Sequence, residues 1–312
     1  MSKYLVTGGA GFIGSHISEA LIRRGHFVRV LDNFSSGRRE NLGGFIGKID
    51  LLRGDIRNKN TCLKACKGID HVLHQAALRC VPKSLRDPHK YNEVNINGTL
   101  NLLQAAHKFR VRSFVFASSS SIYGDALKFP EREIDPARLI SPYALTKLSG
   151  EYYCRIFAEN YGLNTVSLRY FNVFGPRQAL DDEYAVVIPK FITSMLKDCR
   201  PPIYGSGRQS RDFTFVSNVV AANLLAARKA SRLRGEVFNV ASGRDYTILE
   251  LVAILNKLMH KRISPAHLRP RPAEALRTRA DLSRAKKQLG FRPKIDFVQG
   301  LKITLEWFRE NA

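Results

Sequence analysis

Tyr4-Leu5-Val6-Thr7-Gly8-Gly9-Ala10-Gly11-Phe12-Ile13-Gly14 passes from an apolar strand pattern, through closely spaced glycines, into a helical pattern. A strand is expected over residues 3–7 and a helix over 12–24. Glycines at 8, 11 and 14 let the backbone turn tightly and approach a pyrophosphate, which the helix N-terminus then holds with free N–H groups and its dipole. A second apolar strand, Phe27-Val28-Arg29-Val30-Leu31, ends at Asp32. An acidic side chain there binds adenosine ribose hydroxyls and repels a 2′-phosphate, so NAD is the expected cofactor. Arg38 and Arg39 keep NADP open, because a nearby guanidinium can accept that phosphate.

The alternation continues outward from this unit. Apolar strands follow at 70–74 and at Ser113-Phe114-Val115-Phe116-Ala117, with a long helix at about 90–108 between them. A helix from Pro142 to about Tyr161 and the strand Thr165-Val166-Ser167-Leu168-Arg169 come next. This order predicts an α/β fold, a Rossmann-type doubly wound parallel sheet. After about residue 172 Gly, Pro and Arg become frequent, and helices are expected near 185–197, 217–230, 247–259 and 298–310. The expected division is a NAD-binding domain at 1–172 and a smaller mixed α/β region at 173–312. The second region mainly binds substrate and crosses back to the sheet near 203–240.

Composition narrows the class. The chain has 312 residues and 44% hydrophobic content, enough for a substantial core. No apolar run approaches the roughly 18 residues of a membrane span, and the N-terminus runs straight into a strand pattern, so a cytoplasmic location is expected. Five cysteines, Cys62, Cys66, Cys80, Cys154 and Cys199, match neither a disulfide framework nor a zinc site. Reduced structural thiols and no metal are expected. The formal charge of +23 is spread over pairs such as Arg23-Arg24 and Lys286-Lys287. No basic run is interleaved with stacking aromatics, so the charge reads as a solvated surface with some steering of an anionic substrate, and no nucleic-acid partner is expected.

The candidate chemistry lies in Ser141-Pro142-Tyr143-Ala144-Leu145-Thr146-Lys147. Ser141 as N-cap and Pro142 in the first turn start a helix on which Tyr143 and Lys147, four apart, share a face. A phenol of pKa about 10 is a poor base near neutrality, but a neighbouring ammonium and a cationic cofactor ring both favour the phenolate.

With the glycine turn, Asp32 and Tyr143/Lys147 in place, the whole chain resembles an extended short-chain dehydrogenase/reductase of the nucleotide-sugar epimerase group. It is most similar to bacterial UDP-N-acetylglucosamine and UDP-glucose 4-epimerases. Further matches are Gly54-Asp55-Ile56, His74-Gln75-Ala76-Ala77, Asn95-Ile96-Asn97-Gly98-Thr99 and the segment Ser118-Ser119-Ser120-Ser121-Ile122-Tyr123-Gly124. The resemblance implies cofactor contacts at Gly8, Gly11, Phe12, Ile13, Asp32, Asn33, Ser36, Gly37, Asp55, Ile56, Gln75, Ala76, Ala77, Asn95, Ser118, Tyr143, Lys147 and Tyr170. It also implies a catalytic triad of Ser119, Tyr143 and Lys147. Tyr143 takes the proton of sugar O4 while C4 gives hydride to the nicotinamide; the 4-keto sugar then turns over and takes the hydride back. Lys147 holds the nicotinamide ribose and lowers the Tyr143 pKa, and Ser119 hydrogen-bonds the reacting oxygen.

Absences limit the reaction. Family dehydratases read Thr-Asp-Glu and uronate decarboxylases Thr-Ser-Glu where this chain reads Ser119-Ser120-Ser121. Epimerisation is what remains; a catalytically silent member that senses NAD or binds RNA is the alternative of another class. The resemblance implies substrate contacts at Lys83, Ser120, Val187 and Tyr204, with Asn172, Arg211 and Arg271 on the nucleotide diphosphate. Glu274 is implied as a ribose ligand in a segment that departs from the family's Gly-Asp. Thr278, small where a Tyr would exclude a 2-acetamido group, leads to UDP-GlcNAc/UDP-GalNAc as substrates, with UDP-Glc/UDP-Gal and UDP-glucuronate kept open. Arg79 stands where relatives have Gly, and is expected to bind a C6 carboxylate, which makes a 2-acetamido uronate the alternative substrate. A homodimer through a four-helix interface including the Tyr143 helix is also implied.

Overall fold

The computed structural model describes residues 1–179, 187–269 and 275–311. Its first half alternates strands and helices: β1 (Lys3–Thr7), α1 (Phe12–Ile22), β2 (Phe27–Asp32), β3 (Asp50–Arg53), α2 (Lys59–Cys66), β4 (His71–His74), α3 (Val81–Arg86), α4 (Pro88–Tyr91), α5 (Gly98–Lys108), β5 (Ser113–Ser119), α6 (Pro142–Asn160) and β6 (Thr165–Tyr170). The second half adds β7 (Val173–Phe174), α7 (Val187–Leu196), β8 (Pro202–Tyr204), β9 (Ser210–Asp212), β10 (Thr214–Phe215), α8 (Val216–Leu233), β11 (Glu236–Val240), β12 (Asp245–Thr247), α9 (Ile248–Met259), β13 (Ala266–Leu268) and α10 (Phe297–Glu310).

Seven parallel strands form one sheet in the order β11-β6-β5-β4-β1-β2-β3. Both faces are covered, which is why the central strands read as continuous apolar runs. Leu5, Phe114 and Phe116 face one way, into a core with α2, α5 and α6. Val6, Val115 and Val166 face the other, with α1 and α8. α8 and β11 thus return the chain to the sheet after β6, with α8 packed on α1, β5 and β6. A third core gathers α7, α9 and α10 around Phe174, Phe213 and Phe297, the last two stacked with centroids 4.9 Å apart.

One expectation changes, and the structure adds short strands that the sequence did not announce. β3 is a short edge strand of four residues, mostly half-buried, and gives no clear periodicity. The helix expected at 90–108 is α4, a π-helical turn at Asn92–Asn97, and α5 in succession. The irregular region carries small two-stranded pairs, β7 with β10, β9 with β12 and β8 with β13. The part of the expected 185–197 helix before Val187 lies outside the described residues. No described helix is long and apolar enough to cross a membrane. Cys62, Cys66, Cys80 and Cys154 are buried and Cys199 is exposed, and none of the five forms a disulfide among the described residues.

Candidate active site

The glycine turn is fixed by close approach. Gly8 has φ +64°, and a Cβ there would sit 2.8 Å from the Ala76 nitrogen; a Cβ on Gly14 would sit 2.1 Å from the Gly8 carbonyl oxygen. Neither place admits a side chain. Gly11 caps α1 without a side-chain hydrogen bond, which leaves the N–H groups of the first turn for an anion. At the end of β2, Asp32 accepts from Ala10 N at 2.9 Å on Oδ2 and from Phe34 N at 2.8 Å on Oδ1. Each oxygen keeps a lone pair for a ribose hydroxyl. Gly37 gives these oxygens room, since its Cβ would lie 2.8 Å from both. Asn33 donates to Asp55 Oδ2 at 2.9 Å, and the Arg57 guanidinium on the same carboxylate holds the Asp55 pKa down to about 2. Ile56 is buried beneath, Phe12, Ile13, Ala76 and Ala77 are half-buried, and Ser36 is exposed. The cradle, the open helix end and the carboxylate fit a dinucleotide of the NAD type.

β5 ends beside α6, and its alternation separates two serines. Ser119 Oγ accepts from Ser121 N at 3.1 Å and hydrogen-bonds the Tyr143 phenol. Ser118 turns the other way and donates to Glu151 Oε1, so its side chain is committed to α6 instead of the cofactor cleft. Ser141 caps α6 by accepting from Ala144 N at 3.2 Å, and Ser84 Oγ of α3 accepts from Tyr143 N at 3.2 Å. Lys147, one turn on, is buried and donates from Nζ to Ala117 O at 2.8 Å. Burial pulls its ammonium down to about 8, against the opposing charge of Glu151. Burial raises the Tyr143 pKa, while Ser119 and Arg79 lower it. The sequence assigned that lowering to Lys147, whose Nζ is instead drawn to the Ala117 carbonyl, 5.9 Å from the Tyr143 ring centroid.

Asn95 and Gln75, both expected at the cofactor, spend their amides inside the protein. Asn95 lies in the π turn at 2% exposure; its Oδ1 accepts from Leu78 N at 2.8 Å, and its Nδ2 donates to Leu78 O at 2.9 Å and Thr146 Oγ1 at 3.0 Å. The wide turn thereby joins the loop after β4 to the Tyr143 helix. Gln75 donates to Asn223 Oδ1 at 3.1 Å, Asn223 donates to the Tyr170 hydroxyl at 2.8 Å, and that hydroxyl donates to Gln75 Oε1 at 3.2 Å. The closed ring of three side chains fixes the end of β6 against α8.

On the far side, Asn172 follows β6 with φ +33° and donates from Nδ2 to Thr278 Oγ1 at 3.0 Å. Thr278 Oγ1 also accepts from Asp212 N at 3.3 Å, which pins the residue that the sequence placed beside the sugar. Arg211 extends from β9, donating from Nη1 to Ser210 O at 2.9 Å. Tyr204 ends β8 with Lys190 Nζ 5.7 Å from its ring centroid. Lys83 lies on α3, Val187 opens α7 and Ser120 opens the 3-10 turn Ser120–Tyr123. Arg271 and Glu274 lie outside the described residues, as do Tyr184, Ala185 and Val186.

Sequence reasoning missed several members. Glu151 was detectable, because it stands four residues after Lys147 on one helix. Its partner Arg169 and the ring member Asn223 come from distant segments and leave no local signal. The same is true of a buried line in which His74 meets Thr7 Oγ1 at 2.7 Å and Thr99 Oγ1 at 2.9 Å. Burial pushes His74 down to about 3, so this line is neutral.

A family model described as the NAD dependent epimerase/dehydratase family matches residues 4–241. A UDP-N-acetylglucosamine 4-epimerase from Methanobrevibacter ruminantium M1, solved in complex with UDP-N-acetylmuramic acid, is 40% identical with TM-score 0.95, covering 100% of this chain and 99% of that one. A UDP-glucose 4-epimerase from Thermotoga maritima, solved with UDP-glucose, is 38% identical with TM-score 0.94, covering 99% of each chain. A UDP-N-acetyl-alpha-D-glucosaminuronate decarboxylase from Bacillus cytotoxicus is 36% identical over 321 residues, 99% of this chain and 98% of that relative.

Proposed function

The chain belongs to the NAD-dependent epimerase/dehydratase family, and from that premise we propose that it is a UDP-sugar 4-epimerase that retains its NAD and acts on 2-acetamido sugars, interconverting UDP-GlcNAc and UDP-GalNAc. In this reading Gly8, Gly11 and Asp32 of the 1–172 portion hold NAD. The 173–312 portion supplies Asn172's neighbour Thr278, and Arg211 with Arg271 take the diphosphate by bidentate hydrogen bonds. When bound, NAD accepts hydride from sugar C4 and returns it to the opposite face.

The chain's own groups manage the proton. Tyr143 Oη takes the O4 proton as the C4–H bond breaks and gives it back to O4 after the sugar has turned. Ser119, already hydrogen-bonded to the phenol, steadies the same oxygen. Lys147 carries positive charge at the buried base of the phenol, with Glu151 one turn below keeping that charge in place.

One observation carries the choice of inversion. The segment Ser119-Ser120-Ser121 carries hydroxyls and no carboxyl group, where the resemblance puts the carboxyl groups that water elimination or loss of CO2 would use. In this reading a 4-keto sugar formed there meets no carboxyl group from that segment to lead it elsewhere, so it is reduced again. Thr278, held by Asn172 and shorter than the Tyr that would exclude a 2-acetamido group, supports a 2-acetamido substrate. The same reading includes a homodimer through α6, whose exposed Leu145, Tyr152 and Ile156 recur along one helix face; light scattering at micromolar concentration tests it.

Tyr143→Phe tests the mechanism. Turnover is expected to vanish while UDP-sugar affinity stays within about threefold of wild type; substantial residual turnover would overturn the assigned base.

A further inference from the structure

Arg79 is held in place from both sides. Before it, Leu78 donates its N–H to Asn95 Oδ1 at 2.8 Å and accepts on its carbonyl from Asn95 Nδ2 at 2.9 Å. After it, Cys80 donates its N–H to the Tyr91 hydroxyl at 3.1 Å, and that hydroxyl donates back to the Cys80 carbonyl at 2.6 Å. Two buried side chains thus fix both peptides flanking a single arginine. Asn95 also grips Thr146 on α6 at 3.0 Å, and the Tyr91 ring meets the Tyr143 ring edge-on, with centroids 6.5 Å apart. The clamp and the catalytic helix are therefore one assembly. The side chain carried on it is an exposed guanidinium whose charge lowers the Tyr143 pKa.

Among the described residues no carboxylate pairs with Arg79. Other arginines of the sheet's cofactor and helix edges are matched: Arg57 sits 2.9 Å from Asp55, and Arg169 is buried against Glu151 at 2.7 Å. A guanidinium on so firmly held a loop, without a carboxylate partner among the described residues and acting on the Tyr143 phenol, is suited to a planar anion with two oxygens, since its paired N–H groups match a carboxylate fork. The diphosphate of a nucleotide sugar is already allotted to residues after β6.

We propose that Arg79 is a specificity residue that binds a carboxylate carried by the sugar next to C4, so that the preferred donors are carboxylated UDP-2-acetamido sugars. This rests on the 4-epimerase reading, because it takes Tyr143 to mark the position of O4. Two ring substituents put a carboxylate within reach: C6 of a uronate, on C5, and an acidic ether on O3. They share the recognition chemistry and differ in which side of C4 faces Arg79. A carboxylate in either place also offsets the positive charge that Arg79 brings to the phenol.

The experiment compares kcat/KM of the NAD-loaded enzyme for UDP-GlcNAc, for its C6 uronate and for its 3-O-lactyl ether, UDP-N-acetylmuramic acid, in wild type, Arg79→Gln and Arg79→Lys. C4 inversion is followed by NMR. Wild type is expected to prefer one carboxylated donor, and Arg79→Gln to lower the ratio of that donor to UDP-GlcNAc about 10- to 100-fold, the range of a charge-assisted pair of about 1.5–3 kcal/mol. Arg79→Lys, which keeps charge but loses the fork, falls between. Whichever carboxylated donor loses its advantage identifies the substituent. Equal losses on all three donors, or a wild type that prefers UDP-GlcNAc to both acids, overturns the specificity role while the epimerase reading stands. Absence of C4 inversion on every donor overturns both. If Arg79→Gln does not fold, Arg79→Lys and the wild-type donor ratio, falling with added salt if an ion pair is used, decide the question.

Discussion

Arg169 and Glu151 form a two-pronged ion pair buried at the back of α6, the helix of Tyr143 and Lys147. Nε meets Oε1 at 2.8 Å and Nη2 meets Oε2 at 2.7 Å, with side-chain exposures of 7% and 5%. Ser118 adds a third hydrogen bond to Oε1, and Arg169 lies over the Tyr123 ring at 4.9 Å from its centroid. The pair joins β6 to α6 one turn from Lys147.

Removing one partner strands the other in a dry place. Arg169→Met is expected to lower unfolding free energy by about 3–5 kcal/mol in urea titrations, because the Glu151 carboxylate loses its compensation. Arg169→Met combined with Glu151→Gln should recover much of that loss. A single variant within about 1 kcal/mol of wild type would show that the fork does not hold the helix.

Glu131 gives stability a pH dependence of unusual sign. It is 1% exposed, accepts from Arg279 N at 2.7 Å on Oε2, and its Oε1 has no hydrogen-bond partner among the described residues. Burial, with Asp212 nearby, raises its pKa from 4.5 to about 8. The folded state then holds a proton that the unfolded chain has released between those values. The stabilisation is whole below about pH 4.5 and is lost as pH rises through about 8, at up to about 1.4 kcal/mol per pH unit. Glu131→Gln should therefore gain on wild type in unfolding free energy across that range. A constant difference between the two proteins from pH 5 to 9 would contradict the assignment.

Gly14→Ala tests the cradle. With the new Cβ 2.1 Å from the Gly8 carbonyl, the turn must open, and the NAD retained through purification should fall at least about tenfold. Tyr143→Phe should keep its NAD, since it leaves the glycine turn and Asp32 intact. Retention by Gly14→Ala equal to wild type would show that the glycine turn does not hold the cofactor.

The doubly wound sheet was legible because its central strands are buried on both faces and follow one another with helices between. Leu5 against Val6 and Phe114 against Val115 each show both sides of one strand spent on packing. β3 was lost because an edge strand of four residues has no second face to bury. Tyr143, Lys147, Ser119 and the glycines were legible for a different reason: backbone geometry and helix period fix their relations locally. Arg169 with Glu151, Gln75 with Asn223, and Asn95 with Leu78 meet only through the fold, so their true partners could not be read from spacing. Asn95 shows the consequence, since a residue expected at the cofactor serves as the brace of the Arg79 loop.

The central claim is inversion at C4 without net oxidation. The direct measurement is NMR of the sugar nucleotide after incubating the NAD-loaded protein separately with UDP-GlcNAc and with UDP-GalNAc, with absorbance followed for NADH. Both reactions are expected to reach the same mixture of the two C4 epimers with no net accumulation of NADH. Unchanged sugar from both sides and from the carboxylated donors as well, or a product that has lost water or a carbon, would contradict it.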